Sequence, residues 1–291
     1  MDNILRQIVK MKIVSLKGTA FQDALDRIYA CIYGNKCFQR VKQKRDDGSD
    51  GIVNGDTVLA AYAPESYSLR DFKKKIGGDF ASYDNNWSET HSDWQVVTNL
   101  ESTAQMIKFV NDLKTGASII CIEGLLQKIS EQTWTVKTAI FRSLDIPEHY
   151  LTNDIVATVI EDLIQISDRN SGFEPYEKPA YIQDKIELNV SEQNWDSFSD
   201  EYEEALALFP IVSSVVRSRP QSKVAAIRST VRTTYISLSG DFESRFAELV
   251  GTMAKNKIRD DYYVHNMRVV MLYFFEQCLY GQKPISEVGN D

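Results

Sequence analysis

The chain has few of the residues from which cofactor sites are usually built: its 291 residues include only four cysteines and three histidines. Cys31, Cys37, Cys121 and Cys278 contain no CxxC pair, and His91, His149 and His265 lie far apart. Local spacing therefore offers neither a zinc site nor a Cys/His catalytic pair. The thiols read instead as buried side chains in a reducing compartment. No GxxxxGK[ST] stretch occurs, which excludes a P-loop ATPase within the chain. Long apolar runs are missing too, and the opening residues MDNILRQIVKMKIV carry no small-residue cleavage site, so a cytoplasmic location is expected. Positive charge is in short supply: 33 Lys and Arg face 41 Asp and Glu, a net charge of −8. A protein that coats DNA through a broad basic face is excluded, because such binding depends on neutralising phosphates. Any nucleic-acid contact has to be local or shared with a partner.

What is present is enough apolar material for a sizeable core, 43% of residues, and a change of pattern along the chain. The first half alternates helical and strand signals and the second is almost wholly helical, which predicts an α/β domain over 1–168, a Pro- and Gly-containing linker over 169–180 and an all-α domain over 181–291. In the first half, Phe21, Leu25, Ile28, Tyr29 and Ile32 recur at helical spacing up to Gly34. Strands are expected around Cys37–Val41, over 51–53 and over 57–63, the last two joined by Asn54-Gly55, a strong hairpin signal. Ser68 is placed to cap a helix that the Gly77-Gly78 pair should break. A strand over 94–98, a helix over 102–115, a buried strand over 117–122 and a helix from about Gly124 complete the order. Beyond the linker, helices are expected over 182–199, 200–216, 223–238, 242–256 and 260–281, with Pro210 kinking or splitting the second. The apolar stripe from Val264 to Cys278 reads first as a core seam.

The chemistry-bearing candidates gather around residues 46–65. Metal-assisted phosphodiester cleavage needs oxygen ligands for Mg²⁺ or Mn²⁺ beside the phosphate and a lysine or equivalent to orient water. Asp50, at the entry to a hairpin strand, is the candidate metal ligand, with Asp46 and Asp47 in the same acidic turn. Gln22 on the first long helix can add an amide oxygen. The opposing strand should bring a second acid and a lysine near its end, yet it shows Ala60 and Tyr62. Lys75, within the run Lys73-Lys74-Lys75, is the alternative source of the lysine, although such a run is also what a solvated helix face looks like. Lys42, Lys44 and Arg45, together with Lys73 and Lys74, are the local candidates for phosphate contact. In the helical half, Arg217, Arg219, Lys223, Arg228 and Arg232 form a basic cluster that can serve nucleic acid or an acidic partner, or pair with the acidic run Asp200–Glu204.

Gly18-Thr19-Ala20-Phe21-Gln22 opening a helix, then Asp50-Gly51, a strand ending Tyr62-Ala63-Pro64-Glu65, and Lys75-Ile76 with Asp79-Phe80 resemble the restriction-endonuclease-like PD-(D/E)xK domains of bacterial anti-phage systems. From Lys185-Ile186 and Asn189 to Tyr273-Phe274-Phe275-Glu276-Gln277-Cys278, the helical half resembles the C-terminal module of ABC-three-component defence systems. The resemblance implies a mixed sheet flanked by helices and a helical interaction domain. It implies an ABC- or SMC-type ATPase and accessory defence subunits as partners, with DNA as substrate or ligand within the complex. It also implies a metal-dependent endonuclease site in which Asp50 holds Mg²⁺ or Mn²⁺, with Gln22 and Lys75 as catalytic candidates beside it. Relatives of this type carry Gln or Glu where this chain has Ala60. That departure leaves a non-catalytic adaptor or DNA-recognition subunit as the competing expectation.

Overall fold

The computed structural model describes residues 3–41, 49–167 and 181–284. By contact the chain divides into two units, Met1–Glu148 and His149–Asp291. The expected first domain reached residue 168 and thus included helix His149–Ile166, whose packing partners lie in the second unit. The expected linker at 169–180 lies outside the described residues.

The first unit opens with α1 (Asn3–Ser15) and α2 (Gly18–Cys37). Three strands follow, β1 (Phe38–Arg40), β2 (Gly51–Val53) and β3 (Thr57–Tyr62), then α3 (Leu69–Asn86), β4 (Asp93–Thr98), α4 (Ala104–Leu113) and β5 (Ser118–Ile120). Helices α5 (Ile122–Ser130) and α6 (Trp134–Ser143) close it. The strands form one mixed sheet in the order β1-β2-β3-β4-β5: β1, β2 and β3 are antiparallel, and β4 and β5 run parallel to β3. The expected order of helix, three strands, helix, strand, helix, strand is thus present from α2 to β5.

Local chemistry explains the turns. Asn54 and Gly55 both have positive φ, 55° and 75°, as primed hairpin turns require, and the amide of Asp56 closes the turn on Val53 O at 3.2 Å. Ser68 Oγ accepts from Asp71 N at 3.1 Å and starts α3. That helix runs through Gly77-Gly78, contrary to expectation, because Phe72, Ile76 and Tyr83 form a continuous buried face across the pair. Two glycines weaken a helix by roughly 1 kcal/mol each, less than this apolar face contributes. The strand expected over 117–122 is shorter: Cys121 ends the extended run and Ile122 already begins α5, its N–H bonded to Leu100 O at 3.0 Å.

The sheet has two covered faces. Val58, Ala60 and Tyr62 of β3 pack with Phe72 and Ile76 of α3 and with Met106 and Val110 of α4. Side chains alternate along a strand, so Leu59 and Ala61 turn to the other face, which α2 covers. Trp94 is buried against Phe80 and Tyr83, with ring centroids at 5.2 and 6.1 Å from its own.

The second unit is helical: α7 (His149–Ile166), α8 (Ile182–Asn189), a 3₁₀ turn at Glu192–Asn194, α9 (Trp195–Leu206), α10 (Phe209–Arg217), α11 (Gln221–Ser237), α12 (Phe242–Ala254), a second 3₁₀ turn at Lys255–Lys257 and α13 (Asp261–Glu276). Helix expected over 200–216 is split, with Pro210 in the first turn of α10, where its missing N–H costs nothing. The stripe on α13 is a core seam: Met267, Val270, Met271, Phe274 and Phe275 are all buried. Among the described residues no helix is long and apolar enough to cross a membrane.

Candidate functional site

The local fold delivers Asp50 and Gln22 to one place. The first turn of α2 is tied to the end of β3 by Gly18 N–H on Ala63 O at 2.8 Å, and Gln22 lies one turn further along. Asp50 precedes β2 and donates its own N–H to Leu59 O at 2.8 Å, which fixes it opposite the last half of β3. Gly51 follows, and a Cβ there would lie 2.8 Å from the Phe38 ring and force it to shift.

The Asp50 carboxylate is held at both oxygens. Gln22 Nε2 donates to Oδ1 at 2.6 Å and Ala61 N–H donates to Oδ2 at 2.6 Å. These are short, charge-assisted bonds of the kind that stabilise by about 1.5–3 kcal/mol each. The structure therefore brings together the expected pair, but as donor and acceptor. Gln22 presents its NH₂ to the acid, whereas the expected metal site needed its oxygen.

The strand end takes a different form from the expected one. Ala60 and Tyr62 do not face Asp50; both belong to the apolar layer under α3 and α4, where the Tyr62 ring meets Phe72 edge-on at 5.2 Å. The side of β3 that touches Asp50 is that of Ala61, so the missing acid and lysine correspond to Ala61 and Ala63. The shift is one residue, and it arises because a one-residue change of register exchanges the two faces of a strand. Both positions are still methyl groups.

The lysine run does not fill the gap. Lys75 is exposed and binds Asp79 on its own helix, Nζ to the two oxygens at 2.5 and 2.7 Å. Lys73 Nζ stands 5.5 Å over the Phe109 ring. Both side chains, with Lys74, rise from α3, which covers the Ala60/Tyr62 face. Lys42, Lys44, Arg45, Asp46 and Asp47 lie outside the described residues.

One acid near this site was not singled out from sequence. Asp26 lies one turn beyond Gln22 on α2 and is buried. Burial pushes its carboxyl up to about 6, against the pull of Arg40, whose Nε lies 2.6 Å from it, and with the repulsion of Asp23. Arg40 also holds Asp23 at 2.5 Å, so β1 is pinned to α2 by one guanidinium. The signal was available: a carboxylate interrupting the stripe Phe21, Leu25, Ile28, Tyr29 needs a partner.

Magnesium and manganese favour an octahedral oxygen shell with carboxylate ligands. Among the described residues the acid at the strand end is Asp50, with N–H donors on both oxygens and alanines beside it on β3. No group of three His, Cys, Asp or Glu side chains among the described residues is arranged to hold an ion. Among the described residues the donor set does not fit the metal, and no catalytic step through one follows from it.

In the second unit the basic cluster disperses. Arg228 is buried and donates to Gln277 Oε1 at 2.6 Å, and Arg219 pairs with Glu161 at 2.9 Å. The acidic run answers elsewhere, with Glu201 bound by Arg268 of α13. Comparison with protein-family models, curated proteins and solved structures finds no match to the chain.

Proposed function

We propose that this protein is a non-cutting subunit of a bacterial anti-phage defence complex, working with an ABC- or SMC-type ATPase. In this reading the α/β unit is a nuclease-like frame used for DNA or partner recognition, and the helical unit is an interaction module. The observation that carries it is the Asp50 carboxylate, held at both oxygens by Gln22 and Ala61 where a nuclease would hold a metal. The defence setting and the ATPase partner are carried by the sequence resemblance. The element order from α2 to β5 supports the nuclease-like frame.

The competing reading, a metal-dependent endonuclease, is favoured by one thing: Asp50 and Gln22 do meet at the end of the sheet where the resemblance puts an active site. Incubation of supercoiled plasmid with the full chain, alone and with its ATPase partner, in Mg²⁺ or Mn²⁺ separates the two. The expected result is intact plasmid, with DNA retained on the assembled complex. Metal-dependent nicking that Asp50→Ala abolishes would overturn the proposal and establish the nuclease.

A further inference from the structure

A cavity in the helical unit is lined by more basic than acidic side chains. It lies between the end of α11, the start of α12 and the segment after α13, and encloses about 570 Å³. That is within the range of roughly 300–1,000 Å³ typical of small-molecule sites. Its walls carry three cations, Arg232, Arg245 and Lys283, against one carboxylate, Asp241. Asp241 is already engaged as the cap of α12, accepting from Ser244 N at 2.8 Å.

The cavity also has an aromatic wall. The Tyr235 ring carries the Arg245 guanidinium at 3.9 Å and the Tyr280 ring at 4.7 Å. Tyr280 is fixed in turn by its hydroxyl, which donates to Met271 O at 2.6 Å. Arg245 is held by one end only: an Nη donates to Tyr235 O at 2.9 Å, whereas its Nε is buried with no hydrogen-bond partner among the described residues. A guanidinium carries five N–H donors, so the single bond to Tyr235 O leaves others with which Arg245 can meet an oxyanion.

The far wall is built rather than incidental. The Asn189 side-chain amide clamps the backbone of Gln282 from both sides, accepting from its N–H at 2.6 Å and donating to its carbonyl at 2.9 Å. This clamp requires Gly281, which sits at φ +79° and whose Cβ, if present, would lie 2.7 Å from Asn189 Oδ1. Lys283 follows directly, so the clamp positions the cation.

We propose that this cavity binds a small phosphorylated ring compound of the mononucleotide class, its phosphate on Arg245 and Arg232 and its ring against Tyr235 and Tyr280. The chemistry follows from the walls: guanidinium forks recognise phosphate, and aromatic faces recognise a flat ring. The site is independent of the Asp50 region and of whether that region cuts DNA.

Isothermal titration of the full chain with AMP, ATP, adenosine and inorganic phosphate tests it. The expected result is saturable binding of AMP or ATP, with adenosine and phosphate each weaker. Arg245→Met and Arg232→Met should each weaken nucleotide binding about tenfold or more, as loss of a charge-assisted contact does. Arg232 is exposed, so its variant keeps the test valid where Arg245→Met disturbs the fold. No binding of either nucleotide overturns the proposal, as does binding that both arginine variants leave unchanged. Phosphate binding as tightly as AMP overturns the assignment of the aromatic wall.

Discussion

The Asp50 region of the α/β unit and the cationic cavity of the helical unit treat their charged groups in opposite ways. At Asp50 each carboxylate oxygen has a protein donor at 2.6 Å, so the charge is used to hold α2, β2 and β3 together. At Arg245 the guanidinium makes one hydrogen bond, to Tyr235 O, and lines a cavity of about 570 Å³. A charged side chain in a suggestive position is thus a poor guide to function until its hydrogen bonds are counted. The Asp50 carboxylate is engaged in holding the fold, whereas the Arg245 guanidinium has donors to spare, which is why a ligand site is proposed there.

Within the helical unit the largest expected effect comes from Gly281→Ala. It forces a left-handed backbone on alanine and drives a methyl group into Asn189, so it should destabilise the helical unit by about 2–3 kcal/mol in denaturant unfolding. The same variant should weaken nucleotide binding by displacing Lys283. Unchanged stability would show that the wall is not rigid, and the contrast with Asp50 would lose its basis.

A smaller effect is expected at Glu243, on the first turn of α12. Burial opposes its ionisation, but the hydroxyl and backbone N–H of Ser191 and the amide of Asn194 outweigh it and hold the carboxyl down to about 2. The folded value lies below the unfolded one near 4.5, so the stabilisation is complete above about pH 4.5 and is lost as pH falls toward 2. Glu243→Gln should therefore cost about 1–2 kcal/mol at pH 7, discounted for partial exposure, and almost nothing near pH 2. A deficit independent of pH would mean that packing, not these hydrogen bonds, holds the α12 wall.

How much of this was legible in the sequence depended on the range of the interaction involved. The Asn54-Gly55 turn, the Ser68 cap and the place of Pro210 are set by the conformational preferences of one or two residues, and all are present as read or nearly so. The Lys75–Asp79 pair was legible too, since the spacing of four on a helix brings opposite charges together, and it removes Lys75 from the site. Helix α1 was missed because its charged residues obscured the buried Leu5, Val9 and Ile13 at spacings of four. The continuity of α3 through two glycines depended on the core beneath it. Which of Ala60 and Ala61 faces Asp50 depended on strand register, which local pattern leaves open when both faces are apolar. The cationic cavity was out of reach, because Asn189, Arg232, Arg245 and Lys283 are assembled only by the packing of the helical unit.

The central claim, that Asp50 is a structural pin, is tested most directly by thermal unfolding of the full chain and of Asp50→Ala with and without Mg²⁺. A pin that accepts two charge-assisted hydrogen bonds predicts that Asp50→Ala lowers stability by about 2–4 kcal/mol and that Mg²⁺ leaves both melting curves where they are. A melting temperature that Mg²⁺ raises in the natural chain and not in the variant, with the metal-free curves coincident, would contradict it and identify Asp50 as a metal ligand.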